Sequence, residues 1–417
     1  MEMKPVRIGQ VSEKYRISSD NIYYYINYGL IVPPKNSGGQ YIFDDNTLKE
    51  LEFVLELKNL DFPLKAIHRI LSLYRVSNLA DNQDIDDLKN IYRHQIDVLE
   101  NNKEKLEQAQ ASLEKKITDL DAHMTESSSD IGLPLSMLGC ICCPVCRKEL
   151  TLSNVNMNQR YIFNGDLVCR CGYHAHIADG ILETPNRNMS EYDKPDLVRE
   201  LYKDLPPELI SLFQRSYNWM TEKLLHAEPS GKILLETYVN AWFFLHNHQH
   251  ILPEDTRIIV IDKFPETLRV YKELIERQKC GLDILYIADA GLEPPIKPRT
   301  VDINIDFFAL NEHNFYHHTF WLDHLSAYLK DNALALGTYF YFDHGHKSMQ
   351  KLLREYPESY VNNFSKQYFL KSIKNGFKMI DSDELGYTAD SGENLGFSFH
   401  ITGERMHLLS YLAQKAY

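Results

Sequence analysis

Apolar positions along the chain follow three successive rhythms. Near the start they recur every three or four residues in short stretches, 8–15, 19–28 and 45–57, which predicts helices separated by breaks at Pro33-Pro34 and Gly38-Gly39. Two short helices followed by a glycine-hinged ribbon predict a winged helix-turn-helix, with Ser18 or Ser19 capping the second helix and Lys35 and Tyr41 on the wing. Past residue 80 the period lengthens to seven: Ile85, Tyr92, Leu99, Leu106, Leu113 and Leu120 follow one another without interruption. This spacing predicts one long helix with a coiled-coil seam. Its companion positions Leu88, Gln95, Asn102, Ala109 and Lys116 are poorer, so polar interruptions would fix register at a cost in stability. A helix packed on its own domain is the alternative that an amphipathic pattern allows. From about Gly231 onward, short apolar runs at 232–236, 257–262, 283–289, 300–305 and 333–340 alternate with amphipathic helices, the rhythm of a doubly wound α/β sheet.

A chain of 417 residues exceeds one ordinary hydrophobic core. The changes of rhythm divide it into a winged helix-turn-helix at 1–78, a dimerisation helix at 79–125, a cysteine-bearing segment at 126–188 and an α/β domain at 189–417, a multidomain α+β chain. The composition, 44% hydrophobic and 25% charged, is that of a soluble globular protein. No stretch approaches the roughly 18 uninterrupted apolar residues of a membrane span, and the start, Met-Glu-Met-Lys-Pro, is no signal peptide, so a cytoplasmic protein without a membrane partner is expected. The net charge of −13 argues against a protein that coats nucleic acid over its whole surface. Residues 1–75, with ten Lys/Arg against nine Asp/Glu, leave room for local DNA binding.

Six of the seven cysteines, Cys140, Cys142, Cys143, Cys146, Cys169 and Cys171, fall within 32 residues. Without export signals, such clustering points to metal-bound thiolates before disulfides. The knuckles Cys143-Pro-Val-Cys146 and Cys169-Arg-Cys171 can supply four thiolates to a tetrahedral zinc ion, after a linker at 125–130. The segment resembles small zinc ribbons in which Leu167, Gly172 and Asp179-Gly180-Ile181 also fit. Its second knuckle is one residue short, which leaves open whether Cys171, His174 or one of Cys140 and Cys142 completes the site. Four protein ligands would make the zinc structural.

The opening residues Ile8-Gly9-Gln10-Val11 and the ungapped run from Ser18 through Tyr23-Tyr24-Tyr25 and Gly29-Leu30 to Pro33 resemble the MerR family of transcription regulators. So do the wing at 38–43 and the segment at 61–67. The resemblance implies double-stranded promoter DNA and RNA polymerase as partners, and a homodimer through an antiparallel coiled coil that spaces two winged heads on a near-palindromic site. The DNA-binding residues it singles out are Arg7, Arg16, Ser19, Asn21, Tyr23, Tyr24, Lys35 and Tyr41. Where the family carries arginine, this chain has Asp20, Tyr23 and Tyr41, a loss of cations that lowers affinity and its salt dependence. Tyrosine can still donate to phosphate, although an aromatic stripe can equally be core, Tyr25 above all.

In a doubly wound sheet ligands sit at the carboxyl ends of the strands, where Glu236, Asp262 and Asp289 fall. These strand ends resemble the class I methyltransferases that use S-adenosylmethionine: Asp262 matches the ribose acid, Asp289-Ala290 the pair after the third strand, and 377–381 with 395–401 the closing hairpin. The loop after strand one, Glu236-Thr237-Tyr238-Val239-Asn240-Ala241-Trp242, lacks the family's glycines, so Tyr238 and Val239 should obstruct the usual cofactor pose. The reading is therefore a domain without assigned catalytic residues that senses an unidentified small-molecule effector or stabilises the dimer, with a methyltransferase carrying a DNA-binding head as the alternative. His246, His248 and His250 could hold a metal, and the aromatic run at 315–321 could line a pocket or pack in the core.

Overall fold

Capping and burial explain where the first elements begin and end. The computed structural model describes residues 6–123, 131–197, 205–240, 243–278, 280–360, 362, 364–392 and 397–416; the linker at 125–130, Ala241, Trp242 and Leu395 lie outside them. A short strand, β1 (Val6–Arg7), leads into α1 (Ile8–Tyr15), which ends where Arg16 turns left-handed. The second helix, α2 (Ser19–Asn27), is capped by Ser18 and not Ser19: the Asn21 N–H donates to Ser18 Oγ at 3.2 Å. Ile22 and Tyr25, three residues apart, face inward, so Tyr25 is core. The wing folds around Asn36, whose side chain accepts from the Gly38 and Gln40 N–H groups, and Gly39 supplies the positive φ of 77° that closes the turn. It returns through β2 (Ile42–Phe43), antiparallel to β1, into α3 (Asp45–Asn59), capped by Asp44, and α4 (Leu64–Ser72).

The heptad stretch is a single helix, α5 (Asn82–His123), 42 residues and so about 63 Å long at 1.5 Å per residue. The surroundings of its apolar stripe change along its length. Near its start Leu88 is buried, Tyr92 meets Phe62 edge-on, and Gln95 donates to the Leu60 carbonyl at 2.9 Å, so the first turns pack on the head's own core. Beyond them Leu106, Leu113, Ile117 and Leu120 are 59–71% exposed within one chain.

Residues 1–125 and 126–417 form two compact units. The second is organised by one twelve-stranded sheet. Its ribbon end contains β3 (Leu133–Pro134), β4 (Thr151–Met157), β5 (Tyr161–Val168), β6 (His174–Ala178) and β7 (Ile181–Glu183). Helix α6 (Pro207–His226) then precedes β8 (Ile233–Thr237), α7 (Phe244–His248), β9 (Arg257–Asp262), α8 (Pro265–Arg277), β10 (Asp283–Ala288) and β11 (Val301–Phe307). Two short helices, α9 (Ala309–Tyr316) and α10 (Trp321–Leu325), lead to β12 (Leu329–Phe342). The chain closes with α11 (Lys347–Glu355), α12 (Lys366–Ile373), β13 (Phe377–Thr388) and β14 (Met406–Lys415). The sheet order is β13-β14-β12-β11-β8-β9-β10-β7-β6-β5-β3, with β4 on β5. Strands β8 to β12 are mutually parallel, β14 enters antiparallel to β12, and a separate core packs on each face.

Two features depart from the sequence expectation. The last strand is β14, not 395–401: Phe397 and Phe399 are buried in a turn region, packed on Phe340, Phe342 and Phe364. And the ribbon shares one sheet with the α/β part, because β7 pairs in parallel with β10 across Tyr286–Ala288.

Candidate functional sites

The outward face of the head is built by alternation on α2. With Ile22 and Tyr25 turned inward, Tyr23 and Tyr24 stand 44% and 50% exposed. Tyr23 meets Tyr41 edge-on at 6.2 Å, and the Lys35 ammonium lies 4.7 Å from the Tyr41 ring, so helix and wing share one surface. Asn21 and Arg16 are exposed near its amino end, Ser19 is half-buried, and Arg7 precedes α1 with its backbone N–H donated to Gln10.

In the ribbon the sulfurs of Cys143, Cys146, Cys169 and Cys171 lie within 4.8 Å of one another, with Cys143–Cys171 and Cys146–Cys169 each at 3.4 Å. A tetrahedral ion about 2.3 Å from each sulfur would hold them roughly 3.8 Å apart, so the donor set fits one thiophilic metal ion. The short second knuckle still reaches because Gly172 takes φ 97° while the Cys169 N–H donates to the Tyr173 carbonyl. The other nominees are turned elsewhere: His174 pairs with Asp166, and the Cys142 thiol donates to the Ile296 carbonyl. The ribbon is stitched to the loop after β10, through Cys142 N–H to the Pro295 carbonyl and Lys297 N–H to the Cys140 carbonyl.

At the carboxyl ends of β8, β9 and β10 a cleft of about 430 Å³ opens. Asp262 and Asp289 both line it. Asp262 accepts the Asn240 and Phe264 N–H groups at 2.9 Å, and Asp289 accepts the Gly291 N–H at 2.6 Å and the Asn186 amide. Glu236 does not join them. Its carboxylate turns inward and accepts the Phe244 and Leu245 N–H groups at 2.7 and 2.9 Å, capping α7. Tyr238, at φ 56°, takes the left-handed turn that glycine would favour and projects into the cleft. Its hydroxyl lies 2.9 Å from His313 Nδ1, and its ring meets Trp321 edge-on. Val239 points the other way, fully buried in the opposite core, so of the two only Tyr238 faces the cleft.

Several cleft residues carry no motif in the sequence. Lys263 is almost wholly buried between Asp193 at 2.5 Å and Glu312 at 2.6 Å. Burial works against its charge, and the two carboxylates more than restore it. The Trp321 indole donates to Thr237 at 2.8 Å, while Tyr316 and His317, from the aromatic run, line the cleft and Phe320 lies in the core. The wall opposite is the segment after β7, including Arg187, Asn188 and Ser190. His246, His248 and His250 do not converge: His248 stacks on Phe244, and His246 faces Asn247.

Burial pushes several acids of this unit upward, Glu236 to about 8, Asp262 to about 7, and Asp193 and Asp306 to about 6, and it pushes the imidazoles of His248, His313, His317 and His400 downward. The acids make the folded chain hold more protons up to about pH 8, whereas the histidines make it hold fewer below their unfolded value near 6.5, so the acids act unopposed only from about pH 7 to 8.5. Stability of the carboxyl-terminal unit is therefore expected to fall as pH rises through that window. A scanning-calorimetry series from about pH 7 to 8.5 should show its Tm decreasing; a rising Tm there would mean the acids are already ionised when buried.

The family described as MerR HTH family regulatory protein matches residues 6–73, and the one described as MerR, DNA binding matches residues 48–126. The head is of the MerR type. An HTH-type transcriptional regulator ZntR homolog of Haemophilus influenzae is 32% identical to the MerR-type head over 73 residues, 17% of this chain and 54% of that protein. The chain thus spans about half the length of that curated relative. A putative MerR family transcriptional regulator from Listeria monocytogenes is 25% identical, covering 28% of this chain and 88% of its own at a TM-score of 0.25. A putative sarcosine dimethylglycine methyltransferase from Galdieria sulphuraria covers 49% of this chain and 86% of its own, at 13% identity and a TM-score of 0.38. At such TM-scores neither superposition assigns a residue or a ligand. No helix among the described residues is long and apolar enough to cross a membrane.

Proposed function

We propose that the protein is a cytoplasmic, dimeric transcription regulator whose MerR-type heads bind double-stranded promoter DNA beside RNA polymerase. In this reading Cys143, Cys146, Cys169 and Cys171 hold a structural zinc ion, and the cleft of the carboxyl-terminal unit receives a small-molecule effector that binds the two conformations of the dimer unequally. The observation that carries it is the surface formed by the exposed Tyr23, Tyr24 and Lys35 with the half-buried Tyr41 between helix and wing, on a head of the MerR type. The sensor role, as against methyl transfer, is supported by Tyr238 standing where the S-adenosylmethionine loop would need glycine.

Selection from a random-sequence DNA pool is expected to return a near-palindromic site. On that DNA, Tyr24→Ala and Lys35→Ala should each weaken binding by about fivefold to tenfold, about 1–1.4 kcal/mol for each side chain. Lys35→Ala should also flatten the plot of log K against log salt by about 0.9 for each phosphate that is no longer neutralised, a slope that Tyr24→Phe should leave unchanged. Unchanged affinity in both alanine variants would overturn this placement of the DNA surface.

A further inference from the structure

The charges around the cleft do not balance. Among the described residues its lining includes the acids Asp193, Asp262, Asp289 and Glu358, the cations Lys263 and Arg187, and the imidazole of His317, which burial holds toward its neutral form. Both cations are already engaged: Lys263 by Asp193 and Glu312, and Arg187 by Glu183 at 2.7 Å, which also holds Arg269. The donors that reach Asp262 and Asp289 are neutral, backbone N–H groups and the Asn186 amide. Glu358 goes further: the residue is half-buried, and its buried Oε2 has no hydrogen-bond partner among the described residues. A buried acceptor left unmade costs about 1–3 kcal/mol, so a donor supplied from outside would be favoured there.

The walls between these acids are aromatic: Tyr238, Tyr316, Trp321 and Tyr360. What such walls accept is already displayed inside the protein. The Lys263 ammonium sits 4.6 Å from the Tyr316 ring centre and 5.5 Å from that of Tyr238. Acidic groups with aromatic faces repel phosphates and carboxylates, and reward a positive charge attached to an apolar body. A volume of about 430 Å³ suits a ligand of drug-like size.

We infer that this cleft is a receptor for an organic cation, an ammonium group carrying an aromatic body, with Glu358 as its principal carboxylate partner; the inference deepens the effector reading above and depends on it only for the consequence of binding. The test uses the full-length, metal-loaded protein and three matched probes, 3-phenylpropylammonium, 3-phenylpropan-1-ol and 3-phenylpropanoate, in calorimetric titrations. The ammonium is expected to bind at least about tenfold more tightly than the alcohol, and the carboxylate not at all. Glu358→Gln should weaken the ammonium by about tenfold and leave the alcohol unchanged, with Tm and metal content showing that the variant is folded. Equal binding of ammonium and alcohol, no binding of either, or indifference to Glu358→Gln would overturn the assignment. So would binding of S-adenosylmethionine in the absence of any ammonium binding. If the ammonium binds as expected but leaves DNA affinity unchanged, the cation site stands and the sensor role falls.

Discussion

Replacing Leu106 and Leu113 together by glutamate is expected to turn the protein into a monomer. Both lie on the seven-residue stripe of α5, and they are 71% and 61% exposed in a single chain. Burying a leucine against a partner is worth about 1.5–3 kcal/mol, and a two-fold pair loses two such leucines from each copy. The substitutions also place four carboxylates in one seam. Even half of the summed burial raises the dimer dissociation constant by at least about a hundredfold. Sedimentation at micromolar concentration should show the mass halved, and DNA binding should fall steeply because two half-sites are no longer engaged at once. A Leu88→Glu variant offers the contrast: Leu88 is buried in the head's own core, so its failure should appear as unfolding of the head. A variant at 106 and 113 that stays dimeric would remove the coiled coil from the reading.

The second large effect concerns the metal. Cys146→Ser is expected to reduce zinc from one ion per chain to none. Loss of a structural metal belongs to the small set of changes that cost about 4 kcal/mol or more. For a unit of this size that lowers the Tm by roughly 6–7 °C. Elemental analysis and calorimetry on the same preparation check it, and treatment of the wild-type protein with a strong chelator should reproduce the loss. Retention of one zinc ion per Cys146→Ser chain would mean that His174 or Cys142 can complete the site, against their present engagement with Asp166 and Ile296.

How far the sequence foretold this molecule depended on what kept each element in place. Helices α1 to α3 were legible because caps and periodicity are local, and the parallel strands because their apolar runs are bounded by turns. Strand β14 was not. It lies between β12 and β13, so Leu408 to Ser410 are buried in succession and show no alternation, whereas Phe397 and Phe399 alternate without pairing. The four cysteines were legible from clustering. In the cleft, Asp262 and Asp289 could be placed by counting strands, but Glu236 could not, because its direction is set by the unpaired N–H groups of α7. Lys263, Asp193 and Glu312 meet from three distant stretches of chain, a coincidence visible only after folding.

The parallel pairing of β7 with β10 makes the carboxyl-terminal unit indivisible. A fragment beginning at residue 189 would lose Thr184, whose N–H donates to the Ala288 carbonyl, and Asn186, which reaches Asp289. It would also bare the outer edge of β10, a template on which other copies could add strands. Ribbon and α/β layer would therefore have to be transplanted as one piece.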